Sequence, residues 1–167
     1  MHISSNRKIQ IMSDDDLNPS GCTCLAVRQA ARHVTQFYEQ YLAGTGLRST
    51  QYSILSRLKR TGPLSINALA AAMVMDRTTL GRNMLPLERD GLIAIEPDAA
   101  DRRSKALRLT ERGLKVQRAA SKQWAKAQAD FEKLYGPQRT LDLRALLGAV
   151  TATPLEISAR AKHAARV

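Results

Sequence analysis

The sequence contains few cysteines, few aromatic residues and no long hydrophobic run. Its two cysteines, Cys22 and Cys24, cannot build a disulfide framework, so we expect the protein in a reducing cytoplasm. Aromatic residues form 4% of the chain, too few for the stacking platforms that bind single strands or RNA loops. No apolar segment has the length of a membrane span or the form of a secretory signal, so we expect no membrane partner.

The sequence also lacks the motifs of common catalytic and metal sites. It has no glycine-rich phosphate loop and no credible set of nucleophile, base and acid. The pair Cys22 and Cys24 is a poor zinc site, because only His2, His33 and His163 could complete it. We therefore predict that the protein is not an enzyme and needs neither a metal nor a cofactor.

Positive charge is abundant. The chain has 26 Lys and Arg against 15 Asp and Glu, a formal net charge of +11 and a pI of about 10.3. This balance favours a polyanionic partner such as nucleic acid. With 167 residues, the chain is long enough for one domain, or for a small module with an oligomerisation element.

The segment Asp76–Leu92 predicts a short amphipathic helix suited to a DNA groove. Asp76 is a typical N-cap, Gly91 is placed to end the last turn, and Leu80, Met84 and Leu87 recur on one face. The first turn and the opposite face are small, hydroxylated and cationic, with Arg77, Thr78, Thr79, Gly81 and Arg82. Short side chains allow close approach to a major groove, and guanidinium groups can pair with guanine edges. Taken alone, the segment also fits an ordinary solvated helix.

The neighbouring segments complete a helix-turn-helix followed by a hairpin. Ser65–Met73 is a compact, alanine-rich helix in which the small Ala70 lies at the crossing, and residues 73–75 form the connecting turn. Leu92–Glu96 and Ala106–Thr110 alternate apolar with small or polar residues, which predicts two paired strands. Packed helix corners are common, but the full order favours a winged helix-turn-helix.

The predicted hairpin tip, Asp98–Lys105, is cationic. It contains Arg102, Arg103 and Lys105 within four residues. A cationic tip beside a groove-reading helix can enter the adjacent minor groove, where arginine is favoured. The alternative is a solvated turn with incidental charge.

Helices on both sides of this module carry apolar stripes of their own. Residues 22–43 repeat at intervals of three and four, and a second helix follows with Ser49 or Thr50 as its cap. A long helix over 110–135 and a leucine-rich helix over 138–152 end the pattern. These flanking helices predict packing against a second copy, and a twofold dimer requires a near-palindromic DNA site.

We therefore predict a mainly α (α+β) fold, a winged helix-turn-helix with a helical dimerisation region formed by N- and C-terminal helices. The predicted organisation is a flexible arm (1–20), a first dimerisation helix (21–46), a DNA-binding lobe (47–110), further dimerisation helices (111–153) and a basic tail (154–167).

Four segments resemble the MarR family (multiple-antibiotic-resistance regulators) of bacterial winged helix-turn-helix repressors. They are Leu47–Leu55, Leu69-Ala70, Leu87–Ile93 and, most specifically, Asp101-Arg-Arg-Ser-Lys-Ala-Leu-Arg-Leu-Thr-Glu-Arg-Gly113. The resemblance runs from about residue 24 to about residue 150. It implies a triangular homodimer whose first helix and last two helices make the dimer.

The same resemblance implies roles for individual residues. Arg103 would enter the minor groove with Asp101 orienting its guanidinium, while Arg77, Thr78 and Arg82 would meet the major groove and its phosphates. The sequence departs from the commonest family pattern at Gly81, Asn83 and Pro86, which puts the groove-contacting set in doubt.

Members of this family usually release DNA when a small anionic or aromatic molecule binds, or when a cysteine is oxidised. Candidate effector-pocket residues lie on the first two helices: Arg28, His33, Tyr38 and Tyr52. A tyrosine or histidine there is also ordinary core. Cys22 and Cys24 lie at a helix N-terminus, which can raise thiol reactivity. Cys24 is near the reactive cysteine of peroxide-sensing members, and Tyr52 can match one of their two tyrosines, but Ser49 replaces the other.

The sequence thus predicts a sequence-specific regulator of double-stranded DNA, a repressor released from its operator by a phenolic or anionic effector. The alternative within the same fold is a thiol-based peroxide sensor. The alternative of another class is a non-specific architectural DNA-binding protein, which net charge and a wing would serve equally.

Overall fold

The computed structural model describes residues 21–97 and 105–155. The elements follow in the order α1 (Thr23–Leu42), α2 (Ser49–Thr61), β1 (Leu64–Ser65), α3 (Ile66–Ala72), α4 (Arg77–Arg89), β2 (Ile93–Pro97), β3 (Lys105–Leu109), α5 (Glu111–Tyr135) and α6 (Pro137–Ala152). A short 3-10 turn, Ala43–Thr45, follows α1. The mainly helical architecture with a small antiparallel sheet confirms the predicted fold class.

Side-chain oxygens cap the N-termini of three helices, α3, α4 and α5. Ser65 Oγ accepts a hydrogen bond from the backbone N–H of Ala68 at 3.1 Å, at the start of α3. Asp76 caps α4, and Thr110 Oγ1 caps α5 by accepting from the backbone N–H of Gly113 at 2.9 Å. Each cap pairs a backbone donor that the first helical turn leaves without an intrahelical partner.

The predicted cap of α2 is wrong. Ser49 is already the first helical residue and the N-cap position is Arg48, whose backbone N–H donates to Gln51 Oε1 at 2.9 Å. The Ser49 hydroxyl instead donates to Glu39 Oε1 of α1 at 3.3 Å. A contact between two helices therefore uses the hydroxyl that was expected to cap its own helix, and Thr50 makes no cap either.

The described sheet has the strand order β1-β3-β2, and both pairings are antiparallel. The β2–β3 hairpin runs in register from Ile93 opposite Leu109 to Pro97 opposite Lys105. Leu107 lies on the central strand with no exposed surface and pairs with Leu64 of β1. The hairpin is thereby fixed to the helical part of the lobe.

One hydrophobic core joins α2, α3, α4 and the sheet. Leu55, Leu69, Leu80 and Leu107 come from four different elements, and all are fully buried in the same cluster. Leu87 completes the buried face of α4, as its spacing predicted. This complete core holds the helix-turn-helix and the hairpin as one unit.

A second set of contacts joins α1, α2 and α5 through aromatic rings. The Trp124 ring of α5 lies between Tyr38 of α1 and Tyr52 of α2, with ring centroids 4.5 and 4.6 Å away. Phe131, further along α5, contacts Phe37 and Tyr38. These pairs fix the long α5 helix against the first two helices.

The C-terminal helix α6 leaves its large apolar side chains uncovered. Its fully buried residue is Thr140, whereas Leu141, Leu146, Leu147 and Val150 are 45–67% exposed. A groove of about 530 Å³ lies between α1, α5 and α6 with a mostly apolar lining. Within the described residues, these surfaces have no covering element.

Candidate nucleic-acid interface

The first turn of α4 is fixed by Asp76. Its Oδ1 accepts from the backbone N–H of Thr79 at 2.8 Å, and its Oδ2 accepts from the Thr79 hydroxyl at 2.6 Å. These bonds, the side-chain bond first, hold the pKa of Asp76 below its ordinary value. The Thr79 hydroxyl proton is therefore engaged within the turn, although the residue was expected to face DNA.

The exposed face of α4 carries three of the predicted DNA-binding residues. Arg77, Thr78 and Arg82 are exposed, and their side chains make no hydrogen bond within the part of the chain that the structure describes. A Cβ added at Gly81 would meet nothing within 4 Å. This face is free to approach a partner closely. In contrast, Asn83 Nδ2 donates back to the Thr79 carbonyl at 2.8 Å.

Leu85 is a residue on this face that the sequence analysis missed. It follows Arg82 by three positions and Thr78 by seven, and it is 64% exposed. The helical repeat puts these three residues together, opposite the buried Leu80 and Met84. An apolar side chain beside Arg82 can contact a thymine methyl group in a major groove. The spacing of Leu85 from Arg82 and Thr78 is visible in the sequence and could have identified it.

The helix interior contains Pro86, one of the three departures from the commonest family pattern. The helix continues through this residue to Arg89, and the Pro86 carbonyl accepts from the backbone N–H of Asp90 at 3.0 Å. Proline cannot donate to the preceding turn. The exposed residues Arg77, Thr78, Arg82 and Leu85 all precede it, in the N-terminal part of α4.

The hairpin supplies the second part of the candidate interface. Lys105 is exposed at the outer end of β3, directly opposite Pro97. Arg108 forms an ion pair with Glu96 across the two strands. The predicted wing residues Asp101, Arg102 and Arg103 lie outside the described residues.

One junction connects α4, the hairpin and α5. The Thr110 hydroxyl donates to the Gly91 carbonyl at 2.7 Å, and the Thr110 backbone N–H donates to the Leu92 carbonyl at 3.2 Å. A Cβ at Gly113 would lie 2.0 Å from the Leu92 carbonyl oxygen. The Leu-Thr-x-x-Gly motif therefore has a physical basis, since threonine caps α5 while glycine permits the backbone contact.

Similarity to known proteins agrees with this geometry. A sequence model of the MarR family matches residues 47–105. The transcriptional regulator HosA of Escherichia coli O127:H6 is 31% identical over 102 residues, which are 58% of this chain and 76% of HosA. This chain belongs to the MarR family.

Two further similarities are to a repressor and to a regulator solved with DNA. The repressor NicR of Pseudomonas putida is 31% identical over 87 residues, 52% of this chain and 55% of NicR, so the chain spans about half of that relative. The M. tuberculosis transcriptional regulator MosR, solved in complex with DNA, is 34% identical with a TM-score of 0.67, covering 78% of this chain and 97% of MosR. The relatives of this MarR-family chain are transcriptional regulators.

The turn between α3 and α4 of this MarR-family lobe is strained. Val74 has a φ of 51°, in the left-handed region that a β-branched residue rarely adopts, and it is 78% exposed. Its backbone N–H donates to the Ala71 carbonyl at 3.1 Å, and that of Met75 donates to the Ala70 carbonyl at 2.9 Å. Arg57 of α2 donates to the Ala72 carbonyl at 3.2 Å.

The four effector-pocket candidates do not meet in one cavity. Arg28 and His33 are exposed on α1, and they line neither the cavity that Tyr38 lines nor the cavity that Tyr52 lines. Tyr38 lines the groove between α1, α5 and α6, and its hydroxyl donates to Gln128 Oε1 at 2.8 Å. Burial, opposed by nearby Arg144, raises the pKa of Tyr38. Tyr52 lines a different cavity.

That second cavity, of about 280 Å³, lies between α2, the α3–α4 turn and α5. Aromatic rings, cations and hydroxyls share its lining: Tyr52, Ser53, Ser56, Arg57, Arg60, Met73 and Trp124. Behind it, Gln117 donates to Ser56 Oγ at 3.2 Å and to Ser121 Oγ at 2.8 Å. The buried Gln117 Oε1 has no hydrogen-bond partner among the described residues.

Both thiols lie at the start of α1. Cys22 and Cys24 are exposed and unbridged, and Cys22 Sγ accepts from the backbone N–H of Leu25 at 3.4 Å. Tyr52 donates or accepts a hydrogen bond with Ser121 at 3.2 Å.

None of the described helices is long and apolar enough to cross a membrane.

Proposed function

We propose that this MarR-family regulator is a homodimeric repressor that binds a near-palindromic operator and leaves it when a small aromatic anion binds. The observation that carries the proposal is the exposed face of α4, on which Arg77, Thr78 and Arg82 have no side-chain hydrogen-bond partner among residues 21–97 and 105–155. The junction at Thr110 and Gly113 links this helix to the hairpin. Helix and hairpin can therefore bind adjacent grooves as one unit.

The proposed wing contacts complete the interface. Lys105 is exposed at the end of β3, and Arg102 and Arg103 would supply cations to the minor groove, with Asp101 orienting Arg103. Residues 47–110 would form the DNA-binding lobe. Residues 1–20 and 154–167 would form the arm and the basic tail.

The proposed dimer would use helices of residues 21–46 and 111–153. The exposed leucines of α6 and the apolar groove beside α1 support this assignment, because a monomer would leave them in water. Two lobes related by a twofold axis would meet major grooves one helical turn apart. Repression is supported by NicR, which is named a repressor.

The 280 Å³ cavity is the proposed effector site. Tyr52 and Trp124 offer aromatic walls, and Arg57 and Arg60 offer donors to an anion. This site replaces the earlier candidate set, since it retains Tyr52 but not Arg28, His33 or Tyr38. An anion at Arg57 would compete with the Ala72 carbonyl and so disturb the end of α3.

Occupancy of this cavity can change DNA binding by population shift. The effector must bind more tightly to a lobe arrangement that no longer matches the groove repeat. Benzoate and benzamide test the charge requirement: calorimetry should detect benzoate more strongly than benzamide, and Arg57→Gln with Arg60→Gln should remove the difference. Equal binding of both probes to both proteins would contradict an anion site here.

The DNA contacts are tested by Arg82→Ala in a gel-shift titration against the mapped operator. We expect a loss of about 1–3 kcal/mol in binding free energy, since a guanidinium contact to a base edge is worth that amount. Arg32→Ala is the matched control, because Arg32 is exposed on α1 and does not line the apolar groove proposed for the dimer. Equal affinity of the two variants would contradict the assignment of α4, and Arg103→Ala tests the wing in the same way.

A thiol switch is the second candidate, because Cys22 and Cys24 are both exposed. If peroxide releases DNA through Cys24, the Cys24→Ser variant should remain bound after peroxide treatment. Release that persists in this variant would exclude that thiol.

A further inference from the structure

The α5 helix carries a line of cations on one side. Five exposed residues follow one another at intervals of three or four: Arg112, Lys115, Arg118, Lys122 and Lys126. At 3.6 residues per turn they fall within about a third of the helix circumference. The buried residues Gln117, Ala120 and Ala127 define the opposite face. We call these five residues the α5 cationic stripe.

The stripe has no neutralising partner among the described residues. The four ion pairs described, all within 4.0 Å, join Arg48, Arg89, Arg108 and Arg144 to carboxylates and include no stripe residue. The acids at its two ends do not pair with it either. Asp130 accepts a hydrogen bond from the Tyr41 hydroxyl, and Glu111 forms no described ion pair.

This arrangement disfavours the isolated helix. Arg118 and Lys122, and Lys122 and Lys126, are like charges four positions apart, a spacing at which they repel across one turn. A polyanion on this side would relieve the repulsion and release its own counterions. Charge complementarity therefore identifies the class of partner.

The position of the stripe favours duplex DNA as that polyanion. The stripe starts at Arg112, two residues after Thr110, which bonds to the root of the hairpin. It extends about 21 Å along α5 at 1.5 Å per residue. Over that length a duplex presents about 12 phosphates. We propose that the α5 cationic stripe binds the phosphate backbone of duplex DNA outside the groove contacts, which rests on the proposed DNA-binding function and adds a sequence-independent contact to it.

The test compares salt dependence in matched variants. Arg118→Gln with Lys122→Gln removes two exposed cations four positions apart on α5. Arg28→Gln with Arg32→Gln removes two with the same spacing on α1, and neither of these residues lines the apolar groove proposed for the dimer. Operator affinity is measured against salt on a duplex that extends beyond the operator. The stripe variant should show a logarithmic salt slope shallower by about 2 for each engaged subunit, and the control should match the wild type.

Two arms distinguish the source of the phosphates. If the stripe binds flanks of the same duplex, the change in slope disappears on a duplex trimmed to the operator. If it binds a second duplex, the wild type, but not the stripe variant, retains a labelled duplex on an immobilised one. The proposal would be overturned if the wild type and the stripe variant have equal salt slopes on every duplex and the wild type retains no labelled duplex. It would also be overturned if the stripe and control variants reduce the salt slope equally, or if the wild type uses the stripe to bind anionic vesicles but not DNA.

Two readouts keep the result interpretable. The stripe variant should melt at a higher temperature than the wild type at low salt, because repulsion is relieved; a lower melting temperature together with a wild-type salt slope would contradict the account. A wild type that binds operator and scrambled duplexes equally would refute the proposed sequence-specific function, while the salt slopes would still test the stripe.

Discussion

The DNA-binding lobe and the helical base, which consists of α1, α5 and α6, bury their apolar side chains differently. In the lobe, leucines from α2, α3, α4 and β3 are fully buried in one core. In the base, α6 presents Leu141, Leu146, Leu147 and Val150 to solvent. The core of the lobe is buried within one chain, whereas the leucines of α6 have no covering element among the described residues. The contrast supports the proposed division between a DNA-binding unit and a dimer interface.

Leu146→Glu should have the largest effect. Leu146 is 67% exposed on α6, so the substitution costs the single chain little, but it would bury a charge in the proposed dimer interface. We expect monomers in light scattering and a loss of operator affinity of about 100-fold or more, because avidity is lost. Leu85→Glu, at a 64% exposed leucine of the lobe, should leave the dimer intact. If both variants form dimers, the assignment of α6 to the dimer interface is contradicted.

Gly113→Ala should break the junction inside the lobe. Its Cβ would lie 2.0 Å from the Leu92 carbonyl oxygen, so the backbone must move. We expect a loss of about 3 kcal/mol and a melting temperature lower by roughly 10 °C. Gly81→Ala is the matched control, since nothing lies within 4 Å of its Cβ and alanine favours a helix. Thermal unfolding of both variants at one protein concentration measures this difference in melting temperature.

Val74→Asn should stabilise the lobe. The left-handed φ of 51° strains a valine that is 78% exposed, and asparagine adopts that region more readily. We expect a gain of about 1 kcal/mol in denaturant unfolding. Val74→Ala retains a Cβ and should gain less. A loss of stability on the asparagine substitution would show that the valine side chain makes contacts worth more than the strain.

Asp76→Asn should flatten the acid side of the stability curve. Hydrogen bonds from Thr79 hold the pKa of Asp76 below its unfolded value. The contribution of the ionised carboxylate is therefore present above the unfolded pKa and lost as pH falls through the folded pKa. Asparagine also caps helices but does not titrate, so its melting temperature should fall less on acidification than that of the wild type. Parallel plots of melting temperature against pH for the two proteins would contradict the assignment of this pH dependence to Asp76.

Local chemistry made most of the lobe predictable. Asp76, Ser65 and Thr110 cap helices with their own side chains, and the spacing of Leu80, Met84 and Leu87 identified the buried face of α4. The alternation in β2 and β3 likewise predicted the hairpin, because side chains in a strand alternate between faces.

Features that depend on distant contacts were not predictable in this way. The Ser49 hydroxyl bonds to Glu39 of α1 instead of capping α2. Gly113 is required by the Leu92 carbonyl, which reaches it only in the folded lobe. The cavity lining combines α2, the α3–α4 turn and α5, so sequence spacing could identify Tyr52 but not Arg57 or Trp124 as its neighbours.

The most direct test is a titration of the purified protein with its mapped operator and with a scrambled duplex of equal length, at one physiological salt concentration. A DNA-reading helix and wing held on a twofold base predict a preference for the operator of about a thousandfold or more. Equal affinity for the two duplexes would contradict the account and would identify a non-specific DNA-binding protein instead.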